Sequence, residues 1–198
     1  MRKRLLILMA AAIVLASPVL WAQQKKALEV YFIDVEGGQS TLFVSPSGQS
    51  LLVDTGWAGP RDAGRIAGVA KLAGVSQIDY LELTHYHGDH AGGVVDLAGL
   101  IPIKNFVDHG PGAEETLNVP QNYAAYLTVR GKGRHIQVKP GDKIPIAGIG
   151  VQVVSAAAET ISKPLPRAGA ANPGGDTHHV CRPGRRDGPT AQRGWLAA

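Results

Sequence analysis

A single cysteine, Cys181, stands among 198 residues. No disulfide can close within the chain, so any metal site must draw on nitrogen and oxygen donors. Long apolar runs are also scarce. The one candidate, Leu5 to Leu20, is interrupted by Ser17-Pro18 and falls short of the roughly 20 residues a membrane span requires. No internal repeat is present. A one-sided charge is missing as well. The formal net charge is +4, but Arg2, Lys3 and Arg4 sit at one end and Arg182, Arg185, Arg186 and Arg193 at the other. Without those seven, Gln23 to Val180 holds 13 basic against 15 acidic residues, and no basic face for nucleic acid is evident. A small, roughly neutral substrate is the expectation.

The first residues are basic (Met1-Arg2-Lys3-Arg4), then apolar, and reach Ala22 before Gln23-Gln24-Lys25-Lys26. That pattern predicts a signal peptide over residues 1–22, cleaved after Ala22, with an uncleaved anchor as the alternative. No cysteine follows the cleavage point, which argues against a lipid anchor. The mature chain is expected in the periplasm or secreted, without membrane attachment.

Against this background one segment stands out: Thr84-His85-Tyr86-His87-Gly88-Asp89-His90. It follows Ile78 to Leu83, which reads as a strand. Side chains alternate along an extended chain, so His85 and His87 leave the strand end on the same side. Gly88 permits a tight turn that brings Asp89 and His90 into the same space. Three imidazoles and a carboxylate within six positions suit one or two borderline metal ions, zinc first. A histidine-rich polar loop is the bland alternative, and the density of donors weighs against it.

Around this segment, Leu28–Val35, Ser40–Ser45 and Ser50–Asp54 read as strands of an antiparallel meander, separated by turn residues. Arg61 to Leu72 carries apolar residues at helical spacing. A helix is expected over Ala91–Leu100, a strand over Ile103–Asp108 and a helix over Asn118–Val129 with Pro120 in its first turn. Short strands follow around His135–Val138, Lys143–Ile146 and Val151–Ser155. The order describes a layered α/β domain over residues 27–160. From Ala168 the composition turns to Gly, Pro, Arg, Asp and His without apolar periodicity, so residues 168–198 are expected to be disordered or to follow a frameshift near Asn172-Pro173.

The histidine segment closely resembles the H-x-H-x-D-H signature of the metallo-β-lactamase superfamily. Phe32-Ile33-Asp34-Val35, Ser45-Pro46-Ser47-Gly48 and Leu52-Val53-Asp54-Thr55-Gly56 look like the opening strands of that fold. The version with Asp34-Val35, the serine–proline turn and Tyr86 is most similar to the branch that includes the hydrolase domain of DNA-uptake competence proteins. There Gly-Gln-Gly-Asp is usual where this chain has Glu36-Gly37-Gly38-Gln39. The resemblance runs from Leu28 to Ser155 and implies a four-layer αββα sandwich of which this chain carries the N-terminal half. It implies that His85 and His87 bind a first metal and Asp89 and His90 a second, that Asp89 is catalytic in orienting a metal-bound water, and that the cofactor is Zn2+, one or two ions. Asp54 then supports the site from behind, or simply caps its turn.

The family's remaining ligands come from the second half of the domain, and no Gly-Asp or Ser-His strand end follows Ser155. Asp176-Thr177-His178-His179 offers donors without a strand to hold them. His109 ends a strand from which it could face the cleft, or it bonds backbone or substrate. His135 is expected to be structural. The resemblance implies an exported hydrolase acting on an ester, phosphodiester or amide of a small molecule; the alternative is a non-catalytic fragment with an incomplete site.

Overall fold

Three short β-rich runs divided by turn residues open the chain as a meander. In the computed structural model, which describes residues 27–112, 119–166 and 168, they form β1 (Glu29–Phe32), β2 (Thr41–Val44) and β3 (Ser50–Val53), paired antiparallel in sequence. The chain then crosses over through α1 (Pro60–Leu72) to β4 (Ile78–Glu82), through α2 (Gly88–Ala91) and α3 (Val94–Leu100) to β5 (Ile103–Asp108), and through α4 (Val119–Arg130) to β6 (Arg134–Gln137). Each helical crossover returns the chain in the same direction, so β3, β4, β5 and β6 pair in parallel. The result is a mixed six-stranded sheet in sequence order. The expected signal peptide, the tail apart from Ala168, Cys181 and Asp176–His179 lie outside the described residues.

Register sorts the strand residues onto two faces. Leu52, Leu81 and Phe106 are lateral neighbours and meet Ile66 and Ala70 of α1, Leu97 of α3 and Tyr126 of α4 in the larger core. Each large apolar side chain buried there contributes about 1.5–3 kcal/mol. Leu51, Tyr80 and Val107 point the other way and pack with Val138, Ile144 and Ile146. That second face is covered by the chain around β7 (Lys143–Ile144) and β8 (Val151–Gln152), an antiparallel pair. At the β1 end Phe32 of the sheet edge remains 86% exposed. Residues up to Ile161 form one unit, and Ser162 begins a second.

Three expectations are corrected. The helix read as Ala91–Leu100 is two helices, α2 and α3, because the Gly93 amide donates to the Gly56 carbonyl at 3.0 Å instead of continuing the helix, and Gly92 and Gly93 press against neighbouring backbone. A Cβ on Gly93 would lie 2.3 Å from the Thr55 carbonyl oxygen, and one on Gly92 2.6 Å from the Ala58 nitrogen. The strand read as Val151–Ser155 is interrupted: β8 ends at Gln152, and β9 (Ser155–Ala156) turns back on β10 (Glu159–Thr160). Its two-residue turn holds Ala157 and Ala158 at φ 49° and 62°, where glycine or asparagine would be expected. The first strand stops at Phe32, short of Val35.

Candidate metal centre

Parallel strands deliver their C-terminal ends to one edge of a sheet, where ligand sites of open α/β sheets form. Here Asp54 follows β3, Thr84 and His85 follow β4, and Asp108 closes β5 with His109 behind it. Between the histidines, Tyr86 turns inward, 1% exposed, and its hydroxyl donates to the Gly110 carbonyl oxygen. Asn122 of α4 donates to the Tyr86 carbonyl at 2.9 Å. This anchor leaves His85 and His87 on the other side. The His87 carbonyl accepts the first bonds of α2, which carries Asp89 and His90 round. Nε2 of His85 lies 3.1 Å from Nδ1 of His87, and the His85 and His90 rings are 4.0 Å apart at their centroids.

Asp54 is fully buried behind this cluster at φ 59°. It accepts the Thr84 amide at 2.9 Å, the Thr84 hydroxyl at 2.8 Å and Nδ1 of His90 at 2.7 Å. These bonds assign the tautomers. A carboxylate only accepts, so Nδ1 of His90 carries the proton and Nε2 the lone pair. The Thr84 hydroxyl spends its proton on Asp54 and receives Nδ1–H of His85 at 3.0 Å, freeing Nε2 of His85 as an acceptor. Nδ1 of His87 in turn donates to that nitrogen. Burial holds His85 below its ordinary value, with the His90 and His87 charges adding to the effect. Neutral imidazoles of this kind are the form that binds metals.

The donor chemistry therefore suits zinc, and so does part of the spacing. Two ligands about 2.0–2.1 Å from a tetrahedral ion stand about 3.3 Å apart. Nε2 of His90 lies 3.6 Å from Oδ2 of Asp89, near that separation, whereas the 3.1 Å contact between Nε2 of His85 and Nδ1 of His87 is a hydrogen bond that an ion would have to replace. The four side chains thus form two pairs. Among the described residues no group of three or more His, Cys, Asp or Glu is arranged to hold a metal ion.

The Glu36–Gln39 loop closes the other flank. The Gln39 amide donates to the Asp89 carbonyl at 3.0 Å, and a Cβ on Gly38 would meet that oxygen at 2.6 Å. Glu36 pairs with Arg61 of α1 at 2.8 Å on the surface.

Three contributors were missed in the sequence. Glu82, at the end of β4, is pushed up to about 7 by burial, with the Asp54 charge adding. Thr84 links Asp54 to His85. Asp108, 1% exposed, accepts from the Tyr126 hydroxyl at 2.8 Å, the Gly110 amide at 2.8 Å and Nη1 of Arg130 at 3.1 Å, with Nε2 of His135 at 2.9 Å. Burial alone would raise its carboxyl; these four donors outweigh that and hold it below the usual range. The position of each strand end was the available signal. His135 therefore sits in the Asp108 hub. His109 lines a cavity of about 530 Å³ together with Glu82, His85 and Tyr86.

The family model described as the metallo-beta-lactamase superfamily matches residues 33–187. The lactamase-like protein nscB of Aspergillus fumigatus is 42% identical over 65 residues, 33% of this chain and 19% of that protein. The atrochrysone carboxyl ACP thioesterase of the same organism is 40% identical over 78 residues, 38% of this chain and 18% of that protein. The chain thus spans about a fifth of the length of these curated relatives. Among solved structures, a subclass B3 metallo-β-lactamase from a soil metagenome library aligns with a TM-score of 0.45 and 20% identity, covering 61% of this chain and 47% of that one. A β-lactamase from Chitinophaga pinensis aligns with a TM-score of 0.43 and 25% identity, covering 61% and 46%. The match over residues 33–187 takes in every strand that carries the histidine cluster, and the chain belongs to the metallo-β-lactamase superfamily.

Proposed function

We propose that this chain is an exported zinc-dependent hydrolase of carboxylic esters or thioesters, with His85 and His87 binding one ion and Asp89 and His90 a second. Within the superfamily we place it with the competence-protein-like branch. The observation that carries the reading is the Asp54–Thr84–His85 chain of hydrogen bonds, which prepares lone pairs on Nε2 of His85 and of His90 beside each other. The relatives named as thioesterases favour acyl transfer to water.

Bound zinc would lower the pKa of a water toward neutrality and polarise the carbonyl oxygen. The protein's part is orientation and proton handling. Asp54 fixes the ring of His90, and Thr84 fixes that of His85. The Asp89 carboxylate, about a third exposed, accepts the proton of the attacking water at Oδ2. The water oxygen bonds to the carbonyl carbon, the acyl–oxygen or acyl–sulfur bond breaks, and the proton passes to the departing alcohol or thiol.

One observation favours a second reading, a non-catalytic chain with an incomplete site: among the described residues no group of three or more His, Cys, Asp or Glu is arranged to hold a metal ion. Elemental analysis and hydrolysis of p-nitrophenyl butyrate and a cephalosporin separate the two. About two zinc ions per chain and ester turnover lost in His87→Ala support the enzyme. Less than one ion and no turnover support the second reading.

A further inference from the structure

Residue 86 lies between two of the histidines, where an extended chain turns its side chain away from theirs. Tyr86 is fully buried there, its ring packed against Tyr123 at 4.6 Å, His109 at 5.3 Å and Tyr126 at 6.0 Å between centroids. Phenylalanine would fill the same space. The hydroxyl adds a polar group to the core, which is unfavourable unless it is bonded, and it donates to the Gly110 carbonyl. Asn122 donates to the carbonyl of the same residue at 2.9 Å. The segment that carries His85 and His87 is therefore gripped twice at its midpoint, by the loop after β5 and by α4.

The loop is itself fastened. Gly110 sits at φ 89°, where glycine is favoured, and its amide donates to Oδ1 of Asp108 at 2.8 Å. Oδ2 of Asp108 takes the Tyr126 hydroxyl and Nη1 of Arg130, both from α4, and meets Nε2 of His135 on β6 at 2.9 Å. A continuous path thus runs from α4 and β6 through Asp108 and Gly110 to the hydroxyl of Tyr86. Asp54 and Thr84 turn the rings of His90 and His85, but the spacing between His85 and His87 depends on the backbone across residue 86. The Asp89–His90 pair is tied elsewhere, by Asp54 at the His90 ring and by the Gln39 amide at the Asp89 carbonyl.

We propose that Tyr86 is a positioning residue: anchored by Asp108 through Gly110, its hydroxyl sets the spacing of His85 and His87 without acting on Asp89 and His90. The consequence for metal binding rests on the hydrolase reading, which gives His85 and His87 one ion. The spacing itself can be read without metal.

The test compares the full chain with Tyr86→Phe, following the imidazole nitrogens by 15N NMR above neutral pH. In metal-free wild type the bond from Nδ1 of His87 to Nε2 of His85 should hold both rings with the proton on Nδ1. In Tyr86→Phe that bond should be lost and His87 should show mixed tautomers. With zinc added against a competing chelator, the response of His85 and His87 should weaken about tenfold in the variant, the loss typical of an outer partner, while His90 follows the wild-type curve. Asp108→Asn should weaken the same two histidines. Ile66→Val, a core truncation in α1, should lower stability in urea and leave the histidine signals in place. If Tyr86→Phe fails to fold by circular dichroism, Tyr126→Phe loosens the path at its far end and should give a smaller loss at His85 and His87. Wild-type tautomers and zinc response in a folded Tyr86→Phe, or equal weakening at His85, His87 and His90, would overturn the proposal. Histidines that ignore zinc in wild type count instead against the hydrolase reading, and the metal-free tautomers then decide the role of Tyr86.

Discussion

Oδ2 of Asp54 lies 2.7 Å from Nδ1 of His90, across 36 residues of chain. The pairing does what neither residue does alone. It compensates a carboxylate that is fully buried, and it commits the imidazole to a single tautomer with Nε2 outward.

Asp54→Asn should therefore weaken zinc without emptying the site. The amide can still accept from one neighbour, but its NH2 faces donors. An outer partner of this kind is worth about 10- to 100-fold in metal affinity. Competition with a chromophoric chelator measures it. Unchanged affinity in a folded variant would show that Asp54 only caps the turn after β3.

Glu82 predicts the pH dependence of stability. Its carboxyl titrates near 4.5 as a free group and about 7 in the fold. A group raised on folding contributes stability that is complete below 4.5 and is lost as pH rises through 7. The span corresponds to roughly 3 kcal/mol. Urea denaturation in chelator should show wild type weakening between about pH 4.5 and 7, more steeply than Glu82→Gln over that range. Parallel profiles would remove Glu82 as the cause.

Gly93→Ala tests how closely the turn after α2 is fitted. The new methyl would stand 2.3 Å from the Thr55 carbonyl oxygen. Thr55 also donates to the His90 carbonyl, from its amide at 2.7 Å and its hydroxyl at 3.0 Å. Overpacking of this kind costs about 1–3 kcal/mol. The variant should lose stability in urea and zinc affinity together. Loss of stability alone would show that the His90 backbone is free of the Thr55 loop.

What could be read from the sequence was whatever depends on near neighbours. The placement of His85 and His87 follows from strand alternation, and the return of Asp89 and His90 follows from a glycine turn; both are local geometry. The break at Gly92-Gly93 is different. The Gly-Gly pair is itself a weak point for a helix, but what takes the Gly93 amide out of the helical ladder is the Gly56 carbonyl at 3.0 Å, 37 residues away, and that approach is not written in the local sequence. The Asp108 hub needs Tyr126, Arg130 and His135 from two further elements, and no spacing rule joins them. Glu82 shares its strand face with Tyr80, and that face is covered by residues 138–153, far along the chain. Tertiary approach decided each of these.

The turn at Ala157-Ala158 has a bearing on how this molecule could be re-engineered. Left-handed conformations at alanine cost about 1–2 kcal/mol each, and the pair closes a hairpin of only two residues per strand at the mouth of the cavity. Asn-Gly in its place would relieve that burden and stiffen the entrance, whereas a longer insertion would loosen it. Either exchange leaves the six principal strands and the imidazole cluster untouched, so the hairpin beside the cavity can be reshaped on its own.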